Sequence, residues 1–101
     1  MHFLLFYDLV PDYMERRAAY RDAHLRLAWE AHARGELVLG GALEPAREGA
    51  VLLFQGDSPE VAARFAAQDP YVKNGLVSSW RVHRWVTVAG DGAEAPTRPA
   101  P

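Results

Sequence analysis

Four short runs of large apolar residues constrain this chain more than any other feature: His2–Leu9, Glu36–Leu43, Ala50–Gly56 and Val77–Val88. His2–Leu9 is too short for a stable helix, and all four are rich in Phe, Leu, Val, Tyr or Trp, so each reads as a strand. Between the first two, Asp12 to Arg34 is rich in Ala, Arg, Leu and Glu and contains no Pro or Gly. That predicts one long helix, stopped at Gly35 in a C′ position. "EPAREG" (Glu44–Gly49) is a turn, so the second and third strands form a hairpin. "DSPE" follows, with Ser58 as N-cap and Pro59 at N1 of a helix over Pro59–Gln68. Asp69–Gly75 is a connector with room for one helical turn. The order is β-α-β-β-α-β. With right-handed crossovers both helices lie on one face of a four-stranded antiparallel sheet, the ferredoxin-like α+β arrangement.

Alternate strand residues point to opposite faces. Leu4 and Phe6 oppose Phe3, Leu5, Tyr7 and Leu9; Val38 and Ala42 oppose Leu37, Leu39 and Leu43; Leu52 and Phe54 oppose Val51 and Leu53; Trp80, Val82, Val86 and Val88 oppose Val77 and Trp85. Both faces are apolar, yet two helices cover only one. The bare face would expose several hundred Å², roughly the limit for a monomer. A second copy of the same sheet is the simplest cover, and a homodimer packed sheet to sheet is expected, with higher assembly left open.

A chain of 101 residues supports one domain. Residues 1–88 are expected to form it. Residues 89–101 (AGDGAEAPTRPAP) carry few large apolar groups and are expected to be a disordered tail. There is no cysteine, which excludes disulfides, Cys-type zinc sites and thiol chemistry. The net charge of −2 gives no bias toward nucleic acid or anionic membrane. The opening "MHFLLFYDLV" lacks a basic n-region and a small-residue cleavage site, so it reads as a strand rather than a signal peptide. No apolar run approaches the ~20 residues of a membrane span. A cytoplasmic protein is expected.

At about 100° per residue, Met14, Ala18, Leu25, Ala28 and His32 share one stripe of the long helix, with Trp29 at its edge. Arg21 falls in the middle of this apolar stripe and His24 at its border. Either the Arg21 stem packs while its head reaches water, or Arg21 and His24, an i,i+3 pair, face a polar cleft between helix and sheet. His24 alone is equally consistent with a packed or surface histidine. Asp69 also has two readings. Before Pro70 it is a good N-cap; it is also a carboxylate that a distant residue can meet.

"RDAHL" (Arg21–Leu25), "GELVLGGAL" (Gly35–Leu43) and "AAQDPYVKNGL" (Ala66–Leu76) together resemble the YCII-related (YciI-like) family, in the expected order and spanning roughly residues 1–88. The "DPY…GL" element is the most specific of the three. The resemblance implies a dimeric α+β barrel of ferredoxin-like fold and an active site with a His–Asp pair. Carried over, the pair is His24 and Asp69. The activity associated with the family is dehydrochlorination of a chlorinated hydroxyquinol. One departure is "GGALEPAREG", with Ala42 and Leu43 where a proline is common in the family. It is variation at the pocket rim and bears on substrate class more than on chemistry.

Under this reading the Asp69 carboxylate fixes the His24 tautomer, leaving the other ring nitrogen to exchange a proton. Arg21 holds an anionic substrate group or a developing oxyanion. Tyr7, Asp8, Tyr20 and Tyr71 are the further candidates to line the cleft. No Ser or Cys nucleophile is placed well, which argues for acid/base chemistry without a cofactor, such as elimination or isomerisation. His2, His24, His32 and His83 lack H-x-H or H-x-x-x-H spacing, so no metal is expected. The alternative from another class is a non-catalytic ligand-binding or regulatory dimer. RNA binding on the sheet face is not expected, because "AVLLFQG" lacks the basic-aromatic signature. No P-loop, dinucleotide fingerprint or nucleophile elbow is present. Gly40 and Gly41 read as a bulge or a close backbone approach at the pocket floor.

Overall fold

The computed structural model describes residues 1–101. Its strands are β1 (His2–Leu9), β2 (Leu37–Ala42), β3 (Ala50–Gln55) and β4 (Val77–Trp85). Its α-helices are α1 (Tyr13–Arg16), α2 (Arg21–Ala33), α3 (Glu60–Gln68) and α4 (Pro70–Lys73). The strands form one antiparallel sheet in the order β2-β3-β1-β4. This is the ferredoxin-like α+β arrangement the sequence predicts.

Chain order and strand content agree with the sequence reading, and one helix does not. The expected continuous helix from Asp12 to Arg34 is broken. A single turn of α1 passes into a 3₁₀ turn at Arg17–Ala19, and Tyr20 (φ −120°, ψ −3°) interrupts the path before α2 begins. The Arg16 guanidinium holds the upstream piece in place by donating to the carbonyls of Asn74 (2.8 Å) and Gly75 (3.4 Å) at the end of α4. Smaller differences fall at ends: α3 begins at Glu60, and the Ser58 hydroxyl accepts from the Glu60 amide at 3.3 Å. β4 stops at Trp85, and residues 89–101 hold no helix or strand. Glu94 accepts from the His2 amide at 3.1 Å and pairs with Arg84, so the segment after β4 turns back toward the start of β1.

The core lies under α3. Phe3, Leu5 and Tyr7 of β1 and Leu52 and Phe54 of β3 pack against Val61, Ala62, Phe65 and Ala66 of α3. Each large side chain buried this way contributes roughly 1.5–3 kcal/mol. Helix α2 behaves differently. Its one fully buried residue is Ala31, and its inward stripe is His24, Leu27, Ala28 and Ala31. The stripe read from sequence as core, through Leu25, Ala28 and His32, is rotated away from it. The break at Tyr20 uncouples the phase of α2 from that of the residues before it. Because α2 buries so little, it stands off from the sheet and leaves a gap.

A bulge in β2 widens that gap. Leu37 pairs with Phe54, but Leu39 pairs with Leu53, so Val38 is an extra residue on this strand. Leu37 and Leu39 therefore lie on opposite faces, not on one as strict alternation predicts. After the bulge Gly40, not Leu39, sits opposite Leu52 on the helix side. A Cβ on Gly40 would stand 3.2 Å from the Leu52 side chain. Gly49 is needed for another reason. It has φ +108°, and a Cβ there would lie 2.4 Å from the Tyr7 carbonyl oxygen.

No helix covers the other sheet face. It carries Leu4, Phe6, Val51 and Leu53 at its centre, all half-buried. Arg81 lies over the Phe6 ring at 4.6 Å, and His83 meets the same ring edge-on at 5.6 Å.

Candidate active site

Asp69 is held where α3 ends and α4 starts. Proline at position 70 disfavours helical geometry at the residue before it, and Asp69 is extended there (φ −66°, ψ 122°). Its Oδ1 accepts from the Tyr71 amide at 3.0 Å, capping α4. The same oxygen accepts from His24 Nδ1 at 2.8 Å, and Oδ2 accepts from the Tyr7 hydroxyl at 2.7 Å. One carboxylate thus caps a helix and bonds an imidazole; on local sequence grounds these were alternatives. Asp69 is 0% exposed. A carboxylate removed from water is costly unless its oxygens are engaged, and here three donors from three elements converge on it.

The same contacts define the His24 ring. A carboxylate accepts only, so Nδ1 carries the proton and Nε2 has the lone pair in the neutral ring. Nε2 makes no hydrogen bond within the chain. The ring lies between Phe65, edge-on at 6.3 Å, and Tyr71, stacked at 3.9 Å.

His24 opens onto a cavity of about 490 Å³ between α2 and β2, with Tyr7, Ala50 and Leu52 among its floor residues. This lies within the size range of small-molecule sites. Leu25, Ala28, Trp29 and His32 line it from α2, and Leu37–Ala42 from β2. Arg17, Arg21, Tyr13 and Tyr71 line its other end. The rings of Tyr13 and Tyr71 meet edge-on at 5.6 Å. Burial, then the neighbouring Tyr13, pushes the Tyr71 phenol up to about 12, against the pull of Arg21 and Arg17. Burial and the Asp69 charge push the Tyr7 phenol up further. Both are neutral hydrogen-bond donors at ordinary pH.

Of the residues singled out in the sequence, Tyr7, Arg21, His24 and Tyr71 line this cavity, with Asp69 directly behind His24. Asp8 and Tyr20 do not. Strand alternation turns Asp8 away from Tyr7 to the uncovered face, where it accepts from the Ser79 hydroxyl at 2.6 Å and stands 4.0 Å from Arg81. Tyr20 occupies the break before α2 and packs half-buried against the core. Sequence reasoning missed Arg17, Tyr13 and the role of Trp29 and His32. Arg17 is four residues before Arg21, a spacing that signals a shared helical face, but it lies outside the apolar stripe of the helix. His32 Nδ1 donates to the Leu37 carbonyl at 2.8 Å, joining the end of α2 to β2. His, Asp and Glu side chains nowhere gather in threes that could hold a metal ion. No helix is long and apolar enough to cross a membrane.

The fold has counterparts among known proteins. A solved structure of similar fold is the 5-chloro-2-hydroxyhydroquinone dehydrochlorinase from Burkholderia phenoliruptrix AC1100, in complex with 2,5-dihydroxybenzoquinone. It superposes with a TM-score of 0.72 over 86% of this chain and 95% of that one, at 24% identity. A NIPSNAP family protein from Agrobacterium tumefaciens gives a TM-score of 0.56, with 94% and 97% covered at 11% identity. At these identities the likeness is one of fold. An uncharacterized protein from Haemophilus influenzae is 28% identical over 85 residues, covering 75% of this chain and 87% of the relative. The family model of the YCII-related domain matches residues 1–86, from the first strand through the last. The chain belongs to the YCII-related domain family.

Proposed function

We propose that the chain is an acid/base enzyme working without a cofactor, in which His24 and Asp69 act as a pair on a small organic molecule, anionic or cyclic. The observation that carries this is the buried Asp69 carboxylate bonded to Nδ1 of a histidine on the cavity wall, which leaves Nε2 free. Nε2 takes a proton from a substrate carbon. In an elimination the C–H electron pair becomes the new π bond, the leaving group departs with its own electron pair, and His24 releases the proton to solvent. In an isomerisation the proton returns at another carbon. In either case the imidazolium is formed against the Asp69 carboxylate, which stabilises it. Arg21 and the Tyr71 hydroxyl, both lining the cavity, meet negative charge on the substrate.

The fold-level likeness to a dehydrochlorinase supports elimination as the first chemistry to try. The test is chloride release from 5-chloro-2-hydroxyhydroquinone by the native protein, His24→Ala and Asp69→Asn. General-base loss predicts a fall of at least ~100-fold in both variants. Equal rates in folded variants would refute the pair. Binding of the substrate without turnover in the native protein would favour a ligand-binding module instead.

The same reading includes a homodimer formed through the uncovered sheet face. Its support is the central apolar row of Leu4, Phe6, Val51 and Leu53, which no helix of this chain covers.

A further inference from the structure

Two guanidinium groups at the cavity have no carboxylate to answer them. Arg16, Arg34, Arg47, Arg64, Arg81 and Arg84 each lie within 4.0 Å of an Asp or Glu. Arg17 and Arg21 line the cavity and have no such partner. Both act on the Tyr71 hydroxyl, and Arg17 also stands 5.9 Å over the Tyr13 ring. The nearby carboxylate of Asp69 is already engaged by Tyr7, His24 and the Tyr71 amide. The end of the cavity is therefore positive in a chain whose net charge is −2.

The rest of the cavity asks for the opposite chemistry. Thirteen of its 19 lining residues are hydrophobic. From the 3₁₀ turn into α2 the order is Arg17, then Arg21, then His24 and Leu25, then Ala28 and Trp29. With a rise of about 1.5 Å per residue, His24 sits roughly 4.5 Å beyond Arg21, nearer the charged end than the apolar one. A ligand that satisfies this order has an anion at one end and an apolar body at the other. Two planar guanidinium forks match a carboxylate. A phosphate ester carries more charge and is usually met by backbone amides of a glycine-rich turn. The glycines at this cavity, Gly40 and Gly41, lie within a strand.

We infer that the cavity binds a small organic carboxylate, its carboxylate between Arg17 and Arg21 beside the Tyr71 hydroxyl and its apolar body along Leu25 and Trp29. This rests on the cavity being the site proposed above; it adds the ligand class and Arg17. The carbons that meet His24 Nε2 are then those near the carboxylate.

The test uses 3-phenylpropionate, 3-phenylpropionamide and 2-phenylethyl phosphate as probes, with affinity read by calorimetry and by amide NMR shifts. The carboxylate is expected to bind at least about tenfold tighter than the amide. Arg17→Gln and Arg21→Gln are each expected to lose about tenfold for the carboxylate and nothing for the amide, the scale of one charge-assisted hydrogen bond. Circular dichroism checks that these half-buried or exposed substitutions leave the fold intact. Equal affinity for acid and amide, tighter binding of the phosphate, unchanged affinity in both variants, or no carboxylate binding at millimolar concentration would each overturn the inference. The readout is binding alone. Arginine-dependent carboxylate binding by a protein that never turns over would uphold it while refuting the acid/base proposal, and turnover with no carboxylate preference would do the reverse.

Discussion

The imidazole of His24 lies flat on the ring of Tyr71, with centroids 3.9 Å apart and planes 10° from parallel. Tyr71 also donates its amide to Asp69. One residue thus holds both members of the proposed pair, by its ring and by its backbone. Tyr71→Phe keeps ring and amide, and should leave the His24 imidazole resonances by NMR close to native. Tyr71→Ala keeps the amide but removes a stack worth about 0.5–1.5 kcal/mol, and should broaden the His24 resonances. Asp69→Asn should move the His24 Nδ1–H resonance, because the charged acceptor of that bond is lost. Coinciding native and Asn resonances would leave Asp69 a helix cap and nothing more.

Tyr7 ties Asp69 to β1. Tyr7→Phe leaves Oδ2 without its only donor and should cost about 1–3 kcal/mol, a fall in Tm on the order of 4–8 °C per kcal/mol for a chain of this size. Thermal unfolding followed by circular dichroism measures it.

Alkaline pH should unfold the protein through its tyrosines. Tyr71 and Tyr7 are both raised above the ordinary phenol value of about 10. The folded state therefore keeps protons that the unfolded chain gives up. The stability this provides is complete below pH about 10 and is lost as pH rises toward the folded value of Tyr71, about 12. Urea unfolding at stepped pH should show a steep decline in that window. The decline should be shallower in Tyr7→Phe.

Phe6 lies at the centre of the uncovered face, under Arg81 and beside His83. If two sheets meet there, Phe6→Glu should halve the mass measured by sedimentation at micromolar concentration while preserving the helical spectrum. A native protein already monomeric at that concentration would rule the dimer out.

Gly40→Val should fill part of the cavity floor. Its new Cβ meets Leu52 at 3.2 Å, and the cavity narrows where a ligand's apolar body would lie. Ligand affinity should fall at least about tenfold, while the His24–Asp69 bond stays as in the native protein.

The strands and their order were legible because apolar runs and turn residues punctuate the chain plainly. The meeting of His24 and Asp69 was legible only through the family resemblance; nothing local links residues 45 positions apart. The break at Tyr20 was not legible, since Arg17–Ala19 has helical composition and the interruption is fixed by tertiary contacts such as Arg16 on α4. A continuous helix puts Leu25, Ala28 and His32 in the core, whereas the structure makes them cavity wall. Asp8 was misplaced because its neighbour Tyr7 is in the site, and in a strand neighbours face apart.

Val38, the extra residue of the β2 bulge, contributes parity rather than chemistry. Were Val38 paired with Leu53 in a regular ladder, Leu39 would come into step with Leu52 and project into the space that Gly40 leaves open. Whether this fold is hollow or solid thus turns on whether one residue of an edge strand is left out of the ladder. Between related chains, the register beyond this point would separate those able to admit a guest molecule from those that cannot, even where every side chain of the His24–Asp69 constellation is retained.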